Sequence, residues 1–164
     1  VGKSLVETEK LNYARELIAR IEARDKSLLL PVDHKVTADF NSTSCTNTSG
    51  QGIDEGLMGI DIGPQTVKLF TTAVREAKTV FWNGPMGVFF FFSFAEGTFA
   101  LAKALAENSG AFRIVGGGDS AAAAEQSGYA EKMTHISTGG GASLEYLQGD
   151  KLPGLEVLRE RIRS

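Results

Sequence analysis

The chain has little that would suit an exported, membrane-bound or nucleic-acid-binding protein. Its single cysteine, Cys45, cannot form an internal disulfide bond, which fits a reducing, cytoplasmic location. No apolar stretch is long enough to cross a bilayer, and the start "VGKSLVETEK" is not a signal peptide. Basic residues form no block, and the formal net charge is −3. These absences argue against membrane insertion and against binding to a nucleic-acid backbone.

What is present is the composition of a globular protein. Hydrophobic residues make up 42% of the 164 residues and charged residues 23%. That length allows one ordinary domain with a core, or a piece of a larger protein. Because the chain does not begin with Met, we expect further residues upstream of Val1.

The apolar pattern alternates between strand-like and helical segments. An amphipathic helix is predicted over roughly Glu7 to Arg24, and the polar stretch 41–50, "NSTSCTNTSG", is predicted to be a surface loop. Strands are predicted at 27–32, 58–63, 79–82, 112–115 and 135–138, and further helices at about 67–77, 94–105, 119–126 and 142–148. This alternation is typical of βαβ units, so it predicts an α/β fold with a doubly wound, Rossmann-like parallel sheet.

Three glycine-rich turns follow predicted strands, namely "WNGPMG" (82–87), "VGGGDSA" (115–121) and "STGGGAS" (137–143). In a parallel sheet these turns meet at one edge, where ligands bind. Helix N-termini there carry unpaired N–H groups and a partial positive charge, and glycine lets an anion approach the backbone closely. The pattern predicts a phosphate site, although one such turn alone is often only a tight turn.

Asp119 lies at the start of the helix predicted after "VGGG". Two roles are open for its carboxylate. It could cap the helix by accepting a backbone N–H, which typically stabilises by about 1 kcal/mol. It could instead face a magnesium ion that arrives with nucleotide phosphates, because Mg²⁺ prefers oxygen ligands and often takes only one or two carboxylates.

Two better-known nucleotide motifs fit less well. Gly116, Gly118 and Ala121 satisfy the dinucleotide pattern G-x-G-x-x-A, but that pattern needs a ribose-binding acid about 20 residues later. The residues there are "THISTGG", without an acid, which disfavours an NAD enzyme. Gly2-Lys3-Ser4 looks like the end of a P-loop, but its leading glycine would precede residue 1.

Taken together, several motifs carry a family resemblance. "VFWNGPMGVF", "FAEGT", "VGGGDSAAA", "KMTHISTGGGASLEYL" and "LPGLEVL", in this order, resemble the carboxyl-terminal domain of the phosphoglycerate kinase family. "VGKSLVE", "LLLPVDHKV" and "MGIDIGPQTVKLF" resemble the same family upstream. The resemblance implies a glycolytic enzyme with two doubly wound domains, one holding 3-phosphoglycerate and the other the magnesium nucleotide. Such an enzyme passes a phosphoryl group between 1,3-bisphosphoglycerate and ADP.

The resemblance also implies roles for individual residues. Four would form the nucleotide phosphate site, with Asp119 also holding the metal: Gly117, Gly118, Asp119 and Ser120. Asn83 and Pro85 would lie beside the nucleotide, and Gly59 would line the adenine pocket. The turn from Thr138 would present helix N–H groups to the phosphoryl group in flight, through Gly139, Gly140 and Gly141. That role is electrostatic stabilisation of charge.

The chain departs from the family pattern in two respects. Where the family usually has a glutamate that accepts the ribose hydroxyls, this chain has Phe90, whose ring cannot accept those hydrogen bonds. The amino-terminal substrate domain and the start of the carboxyl-terminal domain have no counterpart in residues 1–164. We therefore expect the chain to be a partial nucleotide-binding domain, poorly stable and inactive alone, from an enzyme that is a monomer when complete. The alternative is a non-catalytic α/β nucleotide-binding module, which Phe90 would suit.

Overall fold

The computed structural model describes residues 1–42 and 44–163, which form two compact units. Unit 1 comprises Val1–Ala73 and Met86–Thr98, and unit 2 comprises Val74–Pro85 and Phe99–Ser164. The helices are α1 (Leu11–Glu22), α2 (Pro64–Glu76), α3 (Glu96–Glu107), α4 (Gly118–Gln126), α5 (Gly140–Gln148) and α6 (Pro153–Arg163). The strands are β1 (His34–Thr37), β2 (Thr46–Asn47), β3 (Met58–Ile62), β4 (Thr79–Trp82), β5 (Phe112–Gly116) and β6 (His135–Ser137).

Unit 2 is built on a parallel sheet with the strand order β4-β5-β6. Trp82 pairs with Val115, and Val115 pairs with Ile136, so the carboxyl ends of the three strands are level with one another. The sheet and the helices α3 and α4 supply most of the buried apolar side chains of the unit, among them Trp82, Leu101, Leu105, Val115, Ala123 and Ala124. The predicted α/β class with a parallel sheet is confirmed.

Unit 1 contains an antiparallel sheet with the order β2-β1-β3. The strand predicted at 58–63 is present as β3, but it pairs with β1 and lies outside the parallel sheet. A parallel pair would need a long crossover, usually a helix, and no helix separates β1 from β3 in the described residues. The register shifts between Lys35, which pairs with Asp61, and Val36, which pairs with Gly59.

The strand predicted at 27–32 is wrong. Residues 26–32 have no regular secondary structure, and β1 begins only at His34. Pro31 has no N–H to donate, and the amides of Val32 and Asp33 donate to Thr66 Oγ1 rather than to a neighbouring strand. The apolar run 28–30 that suggested a buried strand is exposed.

The other predicted elements are present with small changes in their bounds. β4 matches its prediction, and α1 is shorter than predicted. The stretch 41–50 is mostly loop, with the short β2 inside it, and Thr43 lies outside the described residues. The helix α6 was not predicted, because the motif "LPGLEVL" (152–158) contributes only to the family resemblance. Along the described chain, the helices are all too short or too polar to span a membrane.

Candidate functional site

Two helices of unit 2 begin close together at the carboxyl end of the parallel sheet. α4 begins at Gly118, after β5, and α5 begins at Gly140, after β6. A Cβ atom on Gly140 would lie 2.7 Å from Gly117 Cα and 3.0 Å from Gly117 N, so a side chain there would collide with backbone. This close approach brings the free N–H groups of two helix ends to one place. Such an arrangement suits a phosphate group.

The turn after β5 depends on the conformation of Gly117. Its φ of 99° lies in the region that side chains rarely adopt, and its N–H donates to the carbonyl of Ser137 at 2.9 Å. That hydrogen bond ties the end of β5 to the end of β6. The glycine pattern seen in the sequence therefore has a structural cause at Gly117 and Gly140.

The third turn, after β4, is tied to the same place. Asn83 Nδ2 donates to the carbonyl of Gly116 at 2.8 Å, and the N–H of Gly84 donates to Ser120 Oγ at 2.6 Å. Pro85 follows, half-buried. The structure thus brings together the predicted residues that follow β4, β5 and β6. Ser120 differs from the others because its side chain is buried and already hydrogen-bonded.

Asp119 lies in the first turn of α4, with its side chain exposed. Gly117 occupies the N-cap position, and no side chain caps this helix. Among the residues that the structure describes, no hydrogen bond or ion pair involves the Asp119 carboxylate. The cap interpretation is therefore not supported. A free carboxylate beside two helix N-termini fits a magnesium ion carried by nucleotide phosphates, because a bare anion there would repel the phosphates.

Gly118 and Gly141 differ from Gly117 and Gly140 in their surroundings. A Cβ atom on Gly118 or on Gly141 would have no other atom within 4 Å, apart from local backbone. Neither has a positive φ, so neither packing nor backbone conformation requires glycine at these two positions. At Gly139, which precedes α5, a Cβ would meet only Ser137 Oγ, at 3.6 Å. The space over these glycines is open to a ligand.

The described residues contain no cluster of three or more His, Cys, Asp or Glu side chains suited to a metal ion. A dedicated protein cage for a cation is therefore not found in this part of the chain. The finding is compatible with Mg²⁺ held by one carboxylate together with substrate phosphates, a common arrangement for this ion.

Gly59 and Phe90 belong to unit 1. The N–H of Gly59 donates to Ser4 Oγ at 2.9 Å, and a Cβ on Gly59 would lie 3.1 Å from Ile53 Cδ1. The Phe90 side chain is 66% exposed, and its ring centroid lies 4.2 Å from that of the buried Phe89. Position 90 therefore presents an apolar surface that accepts no hydrogen bond.

The sequence interpretation missed two buried carboxylates in unit 1, each at the start of a helix. Asp33 accepts hydrogen bonds from Thr66 Oγ1 (2.6 Å) and from the amides of Thr66 (2.7 Å) and Gln65 (2.9 Å) at the start of α2. Burial alone raises the pKa of Asp33, but these hydrogen bonds outweigh it and lower the pKa below its ordinary value.

Asp61 accepts hydrogen bonds from the amide of Gly97 (2.7 Å), at the start of α3, and from its neighbour Ile62 (2.8 Å). Here burial dominates, and the pKa of Asp61 is raised despite those bonds and the nearby Lys35. An acid inside the apolar strand "MGIDI" was the signal for this role, because a buried carboxylate needs donors.

Comparison with known proteins identifies the family. The family model of phosphoglycerate kinase matches residues 1–150. A phosphoglycerate kinase of Bdellovibrio bacteriovorus is 64% identical over 164 residues, and one of Clostridium botulinum is 56% identical over 160 residues. These alignments cover 99% and 98% of this chain, but only 41% and 40% of those relatives. The chain thus spans about two fifths of the length of the curated relatives it matches.

Solved structures give the same result. The structure of phosphoglycerate kinase from Coxiella burnetii matches 99% of this chain and 42% of its own, with a TM-score of 0.89 and 37% identity. The crystal structure of phosphoglycerate kinase from Pyrococcus horikoshii OT3 matches 92% of this chain and 36% of its own, with a TM-score of 0.76 and 32% identity.

Proposed function

Because the chain belongs to the phosphoglycerate kinase family, we propose that it supplies the nucleotide site of an enzyme that transfers a phosphoryl group between 1,3-bisphosphoglycerate and ADP. The products are 3-phosphoglycerate and ATP, and the reaction is a step of glycolysis. The observation that carries this proposal is the contact between Gly117 and Gly140, which places two helix N-termini side by side.

The proposed chemistry needs positioning and charge stabilisation from the protein. An oxygen of the terminal ADP phosphate attacks the acyl phosphate, the bond from phosphorus to the carboxyl oxygen breaks, and 3-phosphoglycerate leaves as a carboxylate. No proton must be removed from the attacking oxygen. The N–H groups at the start of α4, from Gly118 to Ser120, would hold nucleotide phosphates, with Asn83 and Pro85 beside the nucleotide. Those of Gly140 and Gly141 would stabilise charge on the group in transfer, whereas the N–H of Gly139 donates to Ser137 Oγ at 3.2 Å.

The proposed cofactor is Mg²⁺ bound with the nucleotide, and Asp119 is the residue that would hold it. When bound, the ion would neutralise part of the charge on the phosphates. Asp119 suits this role because its carboxylate is exposed and without a partner among the described residues. The same carboxylate in the first turn of α4 also interacts favourably with the positive end of the helix.

We further propose that residues 1–164 are part of a carboxyl-terminal nucleotide-binding domain. The substrate domain that would bind 3-phosphoglycerate would then lie outside this chain. This assignment is supported by the fraction of the relatives that the chain spans, 41% for the Bdellovibrio protein. The complete protein would act in the cytoplasm as a monomer.

The test uses the complete protein of which we propose this chain to be a part. Calorimetry with ADP and Mg²⁺ should show metal-dependent binding, and a coupled assay should show turnover. Asp119→Ala should reduce turnover at least tenfold while leaving the thermal midpoint nearly unchanged. Glu125→Ala is the matched control, since Glu125 is an exposed acid at the other end of α4. Unchanged kinetics of Asp119→Ala at saturating magnesium would contradict the metal role.

A second function is favoured by one observation, the exposed phenyl ring of Phe90. A non-catalytic module would keep the glycine-rich turns and lose the ribose contacts. The same experiment separates the two functions: binding of ADP with turnover supports the kinase, and binding without turnover supports the module.

A further inference from the structure

Two buried side chains from different elements hold the backbone around Gly84. The N–H of Gly84 donates to Ser120 Oγ at 2.6 Å, and its carbonyl accepts a hydrogen bond from Trp82 Nε1 at 2.8 Å. Ser120 is 1% exposed and Trp82 is 4% exposed. We infer that Trp82 and Ser120 are positioning residues of the nucleotide site, an inference that rests on the function proposed above. We call these two hydrogen bonds the Gly84 clamp.

The Gly84 clamp fixes both peptide groups that flank Gly84. These two hydrogen bonds matter because Gly84 has a φ of 103°, and a glycine that is not held would readily adopt other backbone conformations. With both peptides fixed, Asn83 is held where its Nδ2 reaches the carbonyl of Gly116 at 2.8 Å. Ser120 lies in the first turn of α4, so its bond also sets the position of the turn relative to the helix N-terminus.

The side chain of Ser120 acts through Gly84 rather than on a ligand. Its hydroxyl is buried and already accepts the Gly84 N–H, so it is not presented to the space above Gly118. An alanine at position 120 would leave that N–H without its partner and would free the turn after β4. The nucleotide would then have to order the turn when it binds, at an entropic cost.

The expected effect is a loss of nucleotide affinity. In the complete protein, Ser120→Ala should raise the Kd and KM for ADP about fivefold to tenfold, the equivalent of one net hydrogen bond, with a smaller change in kcat. Ser120→Thr keeps a hydroxyl and should restore most of the affinity. The matched control is Ser127→Ala, because Ser127 Oγ donates to the carbonyl of Ala124 at the other end of α4.

Trp82 offers an independent measurement. Trp82 is the single tryptophan of residues 1–164. If ADP changes the fluorescence of the complete protein and Trp82→Phe abolishes that change, the signal comes from Trp82 and reports on the clamp. Trp82→Phe keeps an aromatic ring but removes the indole donor, and it should weaken ADP binding by a similar factor. Since both side chains hold the same turn, the double variant should lose less affinity than the product of the two single losses.

The outcomes separate this inference from the proposed function. If the wild type turns over and Ser120→Ala has an unchanged Kd and KM for ADP, the positioning role of the clamp is overturned and the proposed kinase function is not affected. A lower thermal midpoint without a change in Kd would also overturn it, since that is the result of a purely structural role. If the wild type binds ADP without turnover, the kinase fails, and the Kd values still decide the clamp. No ADP binding by the wild type overturns both.

Discussion

Gly140 and Gly141 are neighbours at the start of α5, but only Gly140 is required by the packing of the chain. A Cβ at Gly140 would collide with the backbone of Gly117, whereas a Cβ at Gly141 would meet no other part of the chain. Alanine is favoured over glycine in helices by roughly 0.5–1 kcal/mol. Gly141→Ala should therefore keep or slightly raise the stability of the complete protein.

The matched pair gives the first prediction. Gly140→Ala should destabilise the protein by about 1–3 kcal/mol, because backbone must shift to admit the methyl group. Gly141→Ala should leave the fold intact but lower kcat at least tenfold, because its methyl group would occupy space proposed for the phosphoryl group. Chemical unfolding and steady-state kinetics measure the two effects. A fully active Gly141→Ala protein would contradict the role proposed for this turn.

Phe90 tests the ribose contact. Phe90→Glu would place a hydrogen-bond acceptor where the resemblance implies a ribose-binding glutamate, and it should lower the Kd for ADP about fivefold. Phe91→Glu is the control, since Phe91 is also exposed and the substitution changes charge and aromatic content equally. Calorimetric titration of both variants decides the matter. Equal effects at 90 and 91 would show that removing an exposed ring, rather than a ribose contact, is responsible.

At the scale of elements, α2 and α3 each begin on a buried carboxylate from another part of unit 1. Asp33 bonds to the first turn of α2, and Asp61 bonds to the first turn of α3. The pKa of Asp33 is lowered and that of Asp61 is raised, so the two groups contribute to stability with opposite dependence on pH.

The signs follow from the directions of the shifts. Asp33 stabilises fully above its ordinary pKa of 3.8, and this contribution is lost as pH falls through its lower folded pKa. Ionised Asp61 costs stability at neutral pH, and the cost disappears as pH falls through its raised pKa towards 3.8. As pH rises, Asp33→Asn should thus become less stable relative to the wild type. Over the same range, Asp61→Asn should become more stable relative to the wild type.

Denaturant unfolding of the complete protein between pH 3 and pH 7 measures both differences. The difference in the free energy of unfolding between Asp33→Asn and the wild type should change with pH at the acid end of the range. The corresponding difference for Asp61→Asn should change above pH 4. Parallel pH profiles for the two variants would contradict this assignment of the helix starts.

The elements that were predictable carry their own local signal. β4 and β5 are short apolar runs bounded by turn residues, and α4 begins at the last glycine of the turn, three residues before the run of alanines. The pairing of β1 with β3 has no such local signal, because direction and register depend on distant partners. The run 28–30 is apolar enough for a buried strand, but Pro31 and the bonds to Thr66 prevent it.

The site shows the same division. The glycine-rich turns predicted the edge of the sheet at which β4, β5 and β6 end, and the resemblance gave Asp119 and Asn83 their proposed roles. The resemblance also assigned Ser120 to the phosphate site, but the clamp on Gly84 was not predictable, because no sequence pattern shows that Trp82 and Ser120 both bond to Gly84. Their proposed role depends on two hydrogen bonds to Gly84, of which the bond to Ser120 forms only when the turn after β4 and α4 are placed together.

At the scale of the whole molecule, the chain exposes much apolar surface. None of the residues of α1 is buried. Leu28, Leu29 and Leu30 are 44%, 41% and 49% exposed, and further exposed apolar side chains lie on α5 and α6: Leu144, Tyr146, Leu147, Leu155, Val157 and Leu158. Runs of neighbouring exposed apolar residues, such as 28–30 in unit 1 and those on α5 and α6 in unit 2, are uncommon on stable monomers. Such surface is expected where more of the protein would pack.

The last prediction follows from that surface. The isolated 164 residues should unfold over a broad temperature range, bind a hydrophobic dye such as ANS at neutral pH, and show no turnover. The complete protein is the control, and it should melt sharply and bind little dye. Differential scanning calorimetry decides, because a single transition whose calorimetric and van't Hoff enthalpies agree would show a cooperative fold. In that case the two three-stranded sheets and their helices would suffice for stability, and the exposed leucines would need another explanation.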